Sequence, residues 1–142
     1  MYQRILIPTD GSACAEEAIA HGLQLARSLE SQVVFLFVMN TVPLIREGVV
    51  NFEEALELAR GEGRRVMDRA LLAAGEARVR ADGLLLEGNP YEVIVEESRA
   101  FDAVVMGSHG KSVLRRVLLG SVTEAVLSRL PCPLIVVRCP PR

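Results

Sequence analysis

Short apolar runs without alternating polar residues constrain the fold of this chain more than any other sequence feature. Ile5 to Ile7 and Val33 to Met39 are continuous apolar runs, which are typical of strands buried on both faces of a sheet. Further apolar runs occur at Leu84 to Leu86, Ala103 to Met106 and Leu134 to Val137. Helices are predicted between these runs, and regular alternation of strands and helices indicates an α/β fold with an open, five-stranded parallel sheet and helices on both faces.

The predicted helices begin at capping or turn residues. Ser12 is expected to cap a helix that runs to about Leu29. A second helix is predicted over 51–81, with a bend or break near Gly61 and Gly63, because a glycine in a helix costs roughly 1 kcal/mol relative to alanine. The segment TVPLIREGVV between this helix and the preceding strand is predicted as a loop that either folds over a bound base or packs on the neighbouring helix. The remaining helices are predicted over Tyr91 to Arg99 and Ser121 to Arg129.

Length and charge limit the classes of protein to which the chain can belong. Its 142 residues fit a single domain, 1–142. A net charge of -2 argues against a broad surface for nucleic acid or for an acidic membrane. No apolar run reaches the ~18 residues of a membrane span, and the first residues do not resemble a signal peptide. We therefore expect a cytoplasmic protein with no nucleic-acid or membrane partner.

The cysteines do not follow a metal-binding or redox motif. Cys14, Cys132 and Cys139 are odd in number and form no C-x-x-C pair. Free cysteine mostly behaves as a small apolar residue. We expect buried or idle thiols.

The most informative stretch for function is Val104 to Glu124, which reads VVMGSHGKSVLRRVLLGSVTE. A buried strand is predicted at its start, and Gly107 and Gly110 then allow backbone conformations that other residues avoid. A capping box formed by Ser121 and Glu124 predicts that a helix starts at Ser121. A strand, a glycine loop and a helix N-terminus in succession favour binding of an anion such as phosphate to backbone N–H groups.

Phosphate binding by this stretch requires Gly110 and Gly120 to come together. They are separated by nine residues, so the intervening segment must fold back over the ligand. A Walker A loop is excluded, because that motif needs a glycine five positions before Gly110 and Val105 stands there.

The glycine spacing, with the words MGSHGKS and LLGSVTE around it, closely resembles the ATP-binding branch of the universal stress protein family. The opening RILIPTDGS and the closing PCPLIVVR extend the resemblance over nearly the whole chain. The resemblance implies the strand order 3-2-1-4-5 and binding of ATP, or of ADP or AMP, with Mg or Mn held through the phosphates. It also implies a homodimer that uses the C-terminal strand Leu134 to Val137.

In that order the first and fourth strands are neighbours, and a crevice opens at their carboxyl ends. Asp10 and Gly107 follow these two strands, so an acid and a phosphate loop are predicted at one crevice. Asp10 is expected to contact ribose hydroxyls or a phosphate-bound metal; alternatively, it bonds its own backbone in the turn. Thr123 is expected either to add a hydroxyl or to have no role in binding. The complete set of predicted nucleotide contacts is Pro8, Thr9, Asp10, Val38, Met39, Met106, Gly107, Ser108, Gly110, Arg115, Gly120, Ser121, Val122 and Thr123.

Charged and titratable residues of the glycine stretch have alternative interpretations. His109 is expected to be a solvated loop residue rather than a general base, because no acid partner is evident beside it. Lys111, Arg115 and Arg116 either neutralise phosphates or solvate the outer face of the loop, with solvation expected for two of the three.

We expect a stress-response or regulatory module that acts by nucleotide occupancy, with no catalytic residue assigned. Fast phosphoryl transfer needs a positioned nucleophile and several charge stabilisers, whereas Asp10 is the one acid that the sequence places at the site. The alternative is a slow ATPase or a nucleotide-processing enzyme on the same fold, although HIGH-type and SGGxDS-type signatures are absent. A phospho-receiver domain is disfavoured, because Asp10 has no neighbouring acidic partner and the fifth strand ends at Arg138 instead of a lysine. The sequence identifies no protein partner beyond the homodimer.

Overall fold

The computed structural model describes residues 1–48, 50–110 and 119–139. The strands in these ranges are β1 (Arg4–Pro8), β2 (Gln32–Asn40), β3 (Ala81–Gly88), β4 (Ala103–Gly107) and β5 (Leu134–Val137). The helices are α1 (Ala13–Leu29), α2 (Val42–Arg46), α3 (Phe52–Glu76), α4 (Pro90–Ser98) and α5 (Ser121–Arg129).

The strands form one sheet in the order β3-β2-β1-β4-β5. Each neighbouring pair is parallel, so the predicted fold class and strand order are confirmed. β1 and β4 lie side by side, with Ile5 opposite Ala103 and Leu6 opposite Val104. β3 and β5 form the two edges of the sheet.

Hydrophobic cores cover both faces of the sheet because successive side chains of a strand point to opposite faces. Ile5 and Ile7 of β1 pack with residues of α1 and α3 on one face. Leu6, between them in sequence, packs on the other face with Ile94 of α4 and Val126 of α5. This double burial explains why the strands read as continuous apolar runs.

The long helix α3 differs from its prediction. It is continuous through Gly61 and Gly63 and ends at Glu76, so the predicted bend and the predicted end near residue 81 are both wrong. Gly63 lies against the sheet, where an added Cβ would be 2.8 Å from the ring of Phe37. Close packing therefore requires glycine at this position and offsets its low helix propensity.

The loop predicted after β2 contains the short helix α2. None of the α2 residues is buried, and Ile45 is 68% exposed. Neither of the two predicted roles for this segment, folding over a ligand or packing closely on a helix, has support from these positions.

No helix among the described residues is long and apolar enough to cross a membrane.

Candidate functional site

A cavity of about 420 Å³ opens at the carboxyl ends of β1 and β4. This is the point where the crossovers leave in opposite directions, and ligands of open α/β sheets bind at such points. The volume lies within the range of small-molecule sites, roughly 300–1,000 Å³. Predicted contacts that line it are Pro8, Thr9, Asp10, Val38, Met39, Met106, Gly107, Gly110, Gly120, Ser121, Val122 and Thr123.

The two separated pieces of the glycine stretch meet at this cavity. The amide of Gly120 donates a hydrogen bond to the carbonyl oxygen of Ser108, with 2.6 Å between N and O. A Cβ added at Gly120 would lie 3.0 Å from Cα of His109. Gly110 and Gly120 therefore come together, as phosphate binding by this stretch requires. The predicted contact Arg115, together with Lys111 and Arg116, lies outside the described residues.

Gly107 and Gly110 allow neighbouring segments to pack closely against the backbone, and they do not adopt positive φ angles. Among the described residues, the glycines with positive φ are Gly11, Gly48 and Gly88, so the conformational reason given for Gly107 and Gly110 is wrong. A Cβ at Gly107 would lie 2.9 Å from the carbonyl oxygen of Cys14. At Gly110 it would overlap a carboxylate oxygen of Asp10.

Helix α5 begins at Ser121 as predicted, but its N-cap is Gly120, with φ −66° and ψ 160°. No side chain makes a capping hydrogen bond there, so the capping box of Ser121 and Glu124 is wrong. The first N–H groups of a helix have no intrahelical acceptor. Because the cap residue has no side chain, these donors at the cavity can reach a ligand.

Thr123 and Thr9 support the backbone around the cavity. The Thr123 hydroxyl donates to the carbonyl oxygen of Gly107 over 3.0 Å, which ties the first turn of α5 to the end of β4. Thr9 Oγ1 accepts a hydrogen bond from the amide of Gly11 at 3.2 Å. Both threonines are buried. The main role of these two hydroxyls is therefore to position the loops that follow β4 and β1.

Asp10 makes the predicted turn contact with its own backbone and also lies at the wall of the cavity. Its Oδ1 accepts a hydrogen bond from the amide of Ser12 at 3.0 Å, which is the turn contact expected of an aspartate after a strand. Its other carboxylate oxygen lies beside Gly110, at the wall of the cavity. Ser12 itself caps α1 through a hydrogen bond from the amide of Ala15. The turn therefore fixes the carboxylate against the glycine loop.

Apolar side chains from several elements also line the cavity. Pro8, Val38, Met39 and Met106 come from the strand ends, as predicted. The helices and the last residue of β2 add contacts that sequence reasoning missed, because their place at the cavity depends on tertiary packing and has no local pattern. Those additional lining residues include Ala15, Asn40, Ala59, Glu62, Pro90 and Ile94.

Among the predicted contacts that the structure describes, Ser108 is the one that does not line the cavity. It is 2% exposed, and its Oγ accepts a hydrogen bond from the amide of Cys139 at 3.2 Å. Its amide donates to the carbonyl oxygen of Val137 at 2.8 Å. Successive side chains at a strand end point to opposite sides, and the Ser108 hydroxyl therefore serves the packing of the C-terminal segment.

Cys14 and Cys139 form a disulfide with a Cα–Cα distance of 5.6 Å, so the expectation of buried or idle thiols is wrong for these two cysteines. The cysteines are 125 residues apart in sequence, and only the adjacency of α1 and the end of β5 brings them together. Cys132 is a free thiol and partly buried. Burial raises the pKa of the Cys132 thiol, and the nearby negative charge of Asp102 adds to this effect.

His109 is half-buried and lies at the cavity wall. The expectation of a solvated loop residue is therefore wrong. Both of its ring nitrogens are buried and have no hydrogen-bond partner among the described residues. A buried polar group without a partner is costly. In the sequence, only the position of His109 inside the glycine stretch indicates that it could lie at the cavity.

The carboxylate of Asp10 suits a metal ion that is held mainly by the phosphates of a nucleotide. The structure brings no group of three or more His, Cys, Asp or Glu side chains together within the described ranges. Mg²⁺ typically retains water and binds through one or two carboxylates plus the phosphates of a nucleotide. Asp10, with a carboxylate oxygen at the glycine loop, fits that mode of coordination.

Comparison with known proteins gives the family. Residues 1–138 match the model of the universal stress protein family. The universal stress protein MJ0531 of Methanocaldococcus jannaschii is 37% identical, over 99% of this chain and 84% of the relative. The solved structure of MJ0577 from the same organism is 30% identical with a TM-score of 0.88, over 100% of this chain and 99% of that chain. A family protein from Arabidopsis thaliana, solved with AMP bound, has the same fold at 17% identity and a TM-score of 0.73, over 97% of this chain and 92% of that chain. The chain belongs to the universal stress protein family.

Proposed function

We propose that this chain binds an adenine nucleotide, with ATP as the first ligand to test, in the cavity between the ends of β1 and β4. One observation carries the proposal: Gly110 and Gly120 converge beside the uncapped N-terminus of α5. Such an end attracts phosphate through its amides and its dipole. The AMP-bound structure of an Arabidopsis thaliana protein of the same fold supports an adenine nucleotide as the ligand class.

Energetics require contacts along the whole nucleotide. A micromolar dissociation constant corresponds to about 8 kcal/mol, and a helix dipole contributes at most ~2 kcal/mol. In our proposal, the amides of Ser121 and Val122 and the ring of His109 bind the phosphates. The apolar strand ends at Val38 and Met39 pack on the adenine. Mg²⁺ or Mn²⁺ enters with the phosphates and contacts Asp10.

The proposed role is regulation by occupancy in a cytoplasmic stress response. Asp10 and Glu62 are the acidic residues that line the cavity among the described positions. Asp10 Oδ1 is already engaged by the amide of Ser12, which disfavours Asp10 as an efficient base for a water molecule. Slow ATP hydrolysis is the alternative activity that the experiment below distinguishes.

The test is calorimetric titration of the full chain with ATP, ADP and AMP in the presence of Mg²⁺, paired with release of phosphate from radiolabelled ATP. We expect saturable binding of at least one of these nucleotides, weakened at least about tenfold in Asp10→Ala. Asp82→Ala removes an exposed carboxylate of β3 that does not line the cavity, and should leave binding unchanged. Absence of binding by all three nucleotides would refute the proposal. Turnover of several per second that Asp10→Ala abolishes would replace the occupancy role by catalysis.

We further propose a homodimer formed through β5. This strand is an edge of the sheet, and an edge strand offers unpaired backbone groups to a second copy. Ile135 is 40% exposed there, and Leu127 of the adjacent helix α5 is 54% exposed. An apolar edge of this kind suits association with an identical edge.

A further inference from the structure

The disulfide between Cys14 and Cys139 lies directly against the glycine stretch. Cys14 occupies the first turn of α1, four positions after Asp10. Cys139 follows β5, whose Val137 pairs with Gly107. The bond therefore joins the segment that presents Asp10 to the strand beside the glycine loop.

Packing around the disulfide leaves little freedom for the glycine loop. A Cβ at Gly107 would lie 2.8 Å from Cys14 Sγ, so the strand end rests on the bond itself. Ser108 Oγ lies 3.7 Å from Cys14 Sγ and accepts the hydrogen bond from the Cys139 amide. The carbonyl oxygen of the same Ser108 accepts the hydrogen bond from Gly120. A single residue thus connects the disulfide to the N-terminus of α5.

We propose that Cys14 and Cys139 form a thiol–disulfide switch that sets the nucleotide affinity of the cavity, an inference that rests on the proposed function. The oxidised form holds Gly107 and Ser108 in the positions described above and binds tightly. Two thiols need a van der Waals separation in place of a covalent bond. Cys14 and Cys139 are only 3% and 8% exposed, so reduction displaces the segment after Val137 and loosens Ser108.

The redox partner is a low-molecular-weight thiol–disulfide couple such as glutathione. In oxidation, the thiolate of Cys139, which lies in the segment that reduction displaces, attacks one sulfur of glutathione disulfide and releases one glutathione thiolate. The thiolate of Cys14 then attacks Cys139 Sγ of the mixed disulfide and releases the second. Two protein thiols lose two electrons and two protons, and one glutathione disulfide becomes two glutathione thiols.

Intracellular disulfides are most often redox-sensing or catalytic, except in hyperthermophiles, where they are structural. The contacts of this bond favour sensing, because they reach Gly107 and Ser108 of the glycine loop and not only the core. Cys132 serves as the internal control. It lies at the other face of the sheet, packed against the core that includes Leu6 and Ile94.

The test compares ATP titrations, with Mg²⁺, of the oxidised protein and of the protein reduced by a phosphine. We expect the reduced form to bind ATP at least about fivefold more weakly, the lower end of common allosteric couplings. A variant carrying Cys14→Ser and Cys139→Ser should bind like the reduced form and ignore the reductant. Cys132→Ser should retain the full response.

Thermodynamic reciprocity supplies a second measurement. Saturating ATP should shift the thiol–disulfide equilibrium in glutathione buffers toward the disulfide by the same factor, as read by mass spectrometry of alkylated protein. Equal ATP affinity of the two redox forms would overturn the switch and leave the proposed function intact. Unfolding of the reduced protein, or a disulfide that no glutathione ratio reduces, would identify a structural cross-link and also overturn it. Absence of binding by ATP, ADP and AMP in both forms would instead refute the proposed function.

Discussion

Substitution of Gly120 by Ala tests the nucleotide site most sharply. The added Cβ would lie 3.0 Å from Cα and 3.3 Å from Cβ of His109. Since carbon atoms prefer a separation of about 3.5–4.0 Å, the two pieces of the glycine stretch must move apart by roughly 0.5 Å. Overpacking of this kind costs about 1–3 kcal/mol. Because bound phosphate needs donors from both pieces at their present spacing, we expect ATP affinity to fall by at least about tenfold, or 1.4 kcal/mol.

Calorimetric titration with ATP and Mg²⁺ measures this loss, and two further variants separate its causes. Gly120→Ser adds the same Cβ but restores a side-chain oxygen suited to an N-cap, so it should lose affinity like Gly120→Ala. Gly75→Ala adds a methyl group in α3, where no atom lies within 4 Å, and should bind ATP normally.

Affinities of Gly120→Ala and Gly120→Ser within about twofold of the wild type, in variants with unchanged circular dichroism, would refute the reasoning. A loss confined to Gly120→Ala would assign the effect to helix capping instead of to the spacing of the two pieces.

Three further predictions concern stability and assembly. Asp102 accepts hydrogen bonds from the Arg4 and Gln3 amides, which lower its pKa. Asp102→Asn should therefore melt at a lower temperature than the wild type at pH 7, and this difference should disappear as the pH falls below about 4 and the wild-type carboxylate becomes protonated. A difference in melting temperature that does not change with pH would contradict this cause. Gly63→Ala should destabilise by about 1–3 kcal/mol through its clash with Phe37, while Gly61→Ala in the same helix should stabilise by roughly 0.5–1 kcal/mol; equal denaturant midpoints would disprove the packing argument. Ile135→Lys should convert the proposed dimer to a monomer in light scattering without loss of ATP binding, and a dimeric mass of this variant would exclude β5 as the interface.

The sequence was a good guide where structure depends on local pattern. The start of α1 follows from its capping residue Ser12 and the bounds of β5 follow from an apolar run, and both agree with the structure. It was a poorer guide at β3, which spans Ala81–Gly88 instead of three residues. β3 is an edge strand with several exposed positions, so its ends lack the apolar character of a central strand.

Local pattern also failed where packing overrides propensity. Gly61 and Gly63 look alike in sequence, yet only Gly63 is required by contact with Phe37. The cap of α5 is Gly120 and not Ser121, because the glycine must approach His109 closely. Tertiary contacts decided both outcomes.

The spacing of glycines, the apolar runs and the turn after the first strand determined, without any coordinates, a parallel α/β sheet with a glycine loop beside Asp10. Only the tertiary structure revealed the half-buried ring of His109, the helix residues that complete the cavity, and the bond between Cys14 and Cys139. The physical reason is the range of the interactions involved. Periodicity and capping act over a few neighbouring residues and leave a mark in the sequence. Contacts between residues 125 positions apart arise from how the helices pack on the sheet, which no local pattern records.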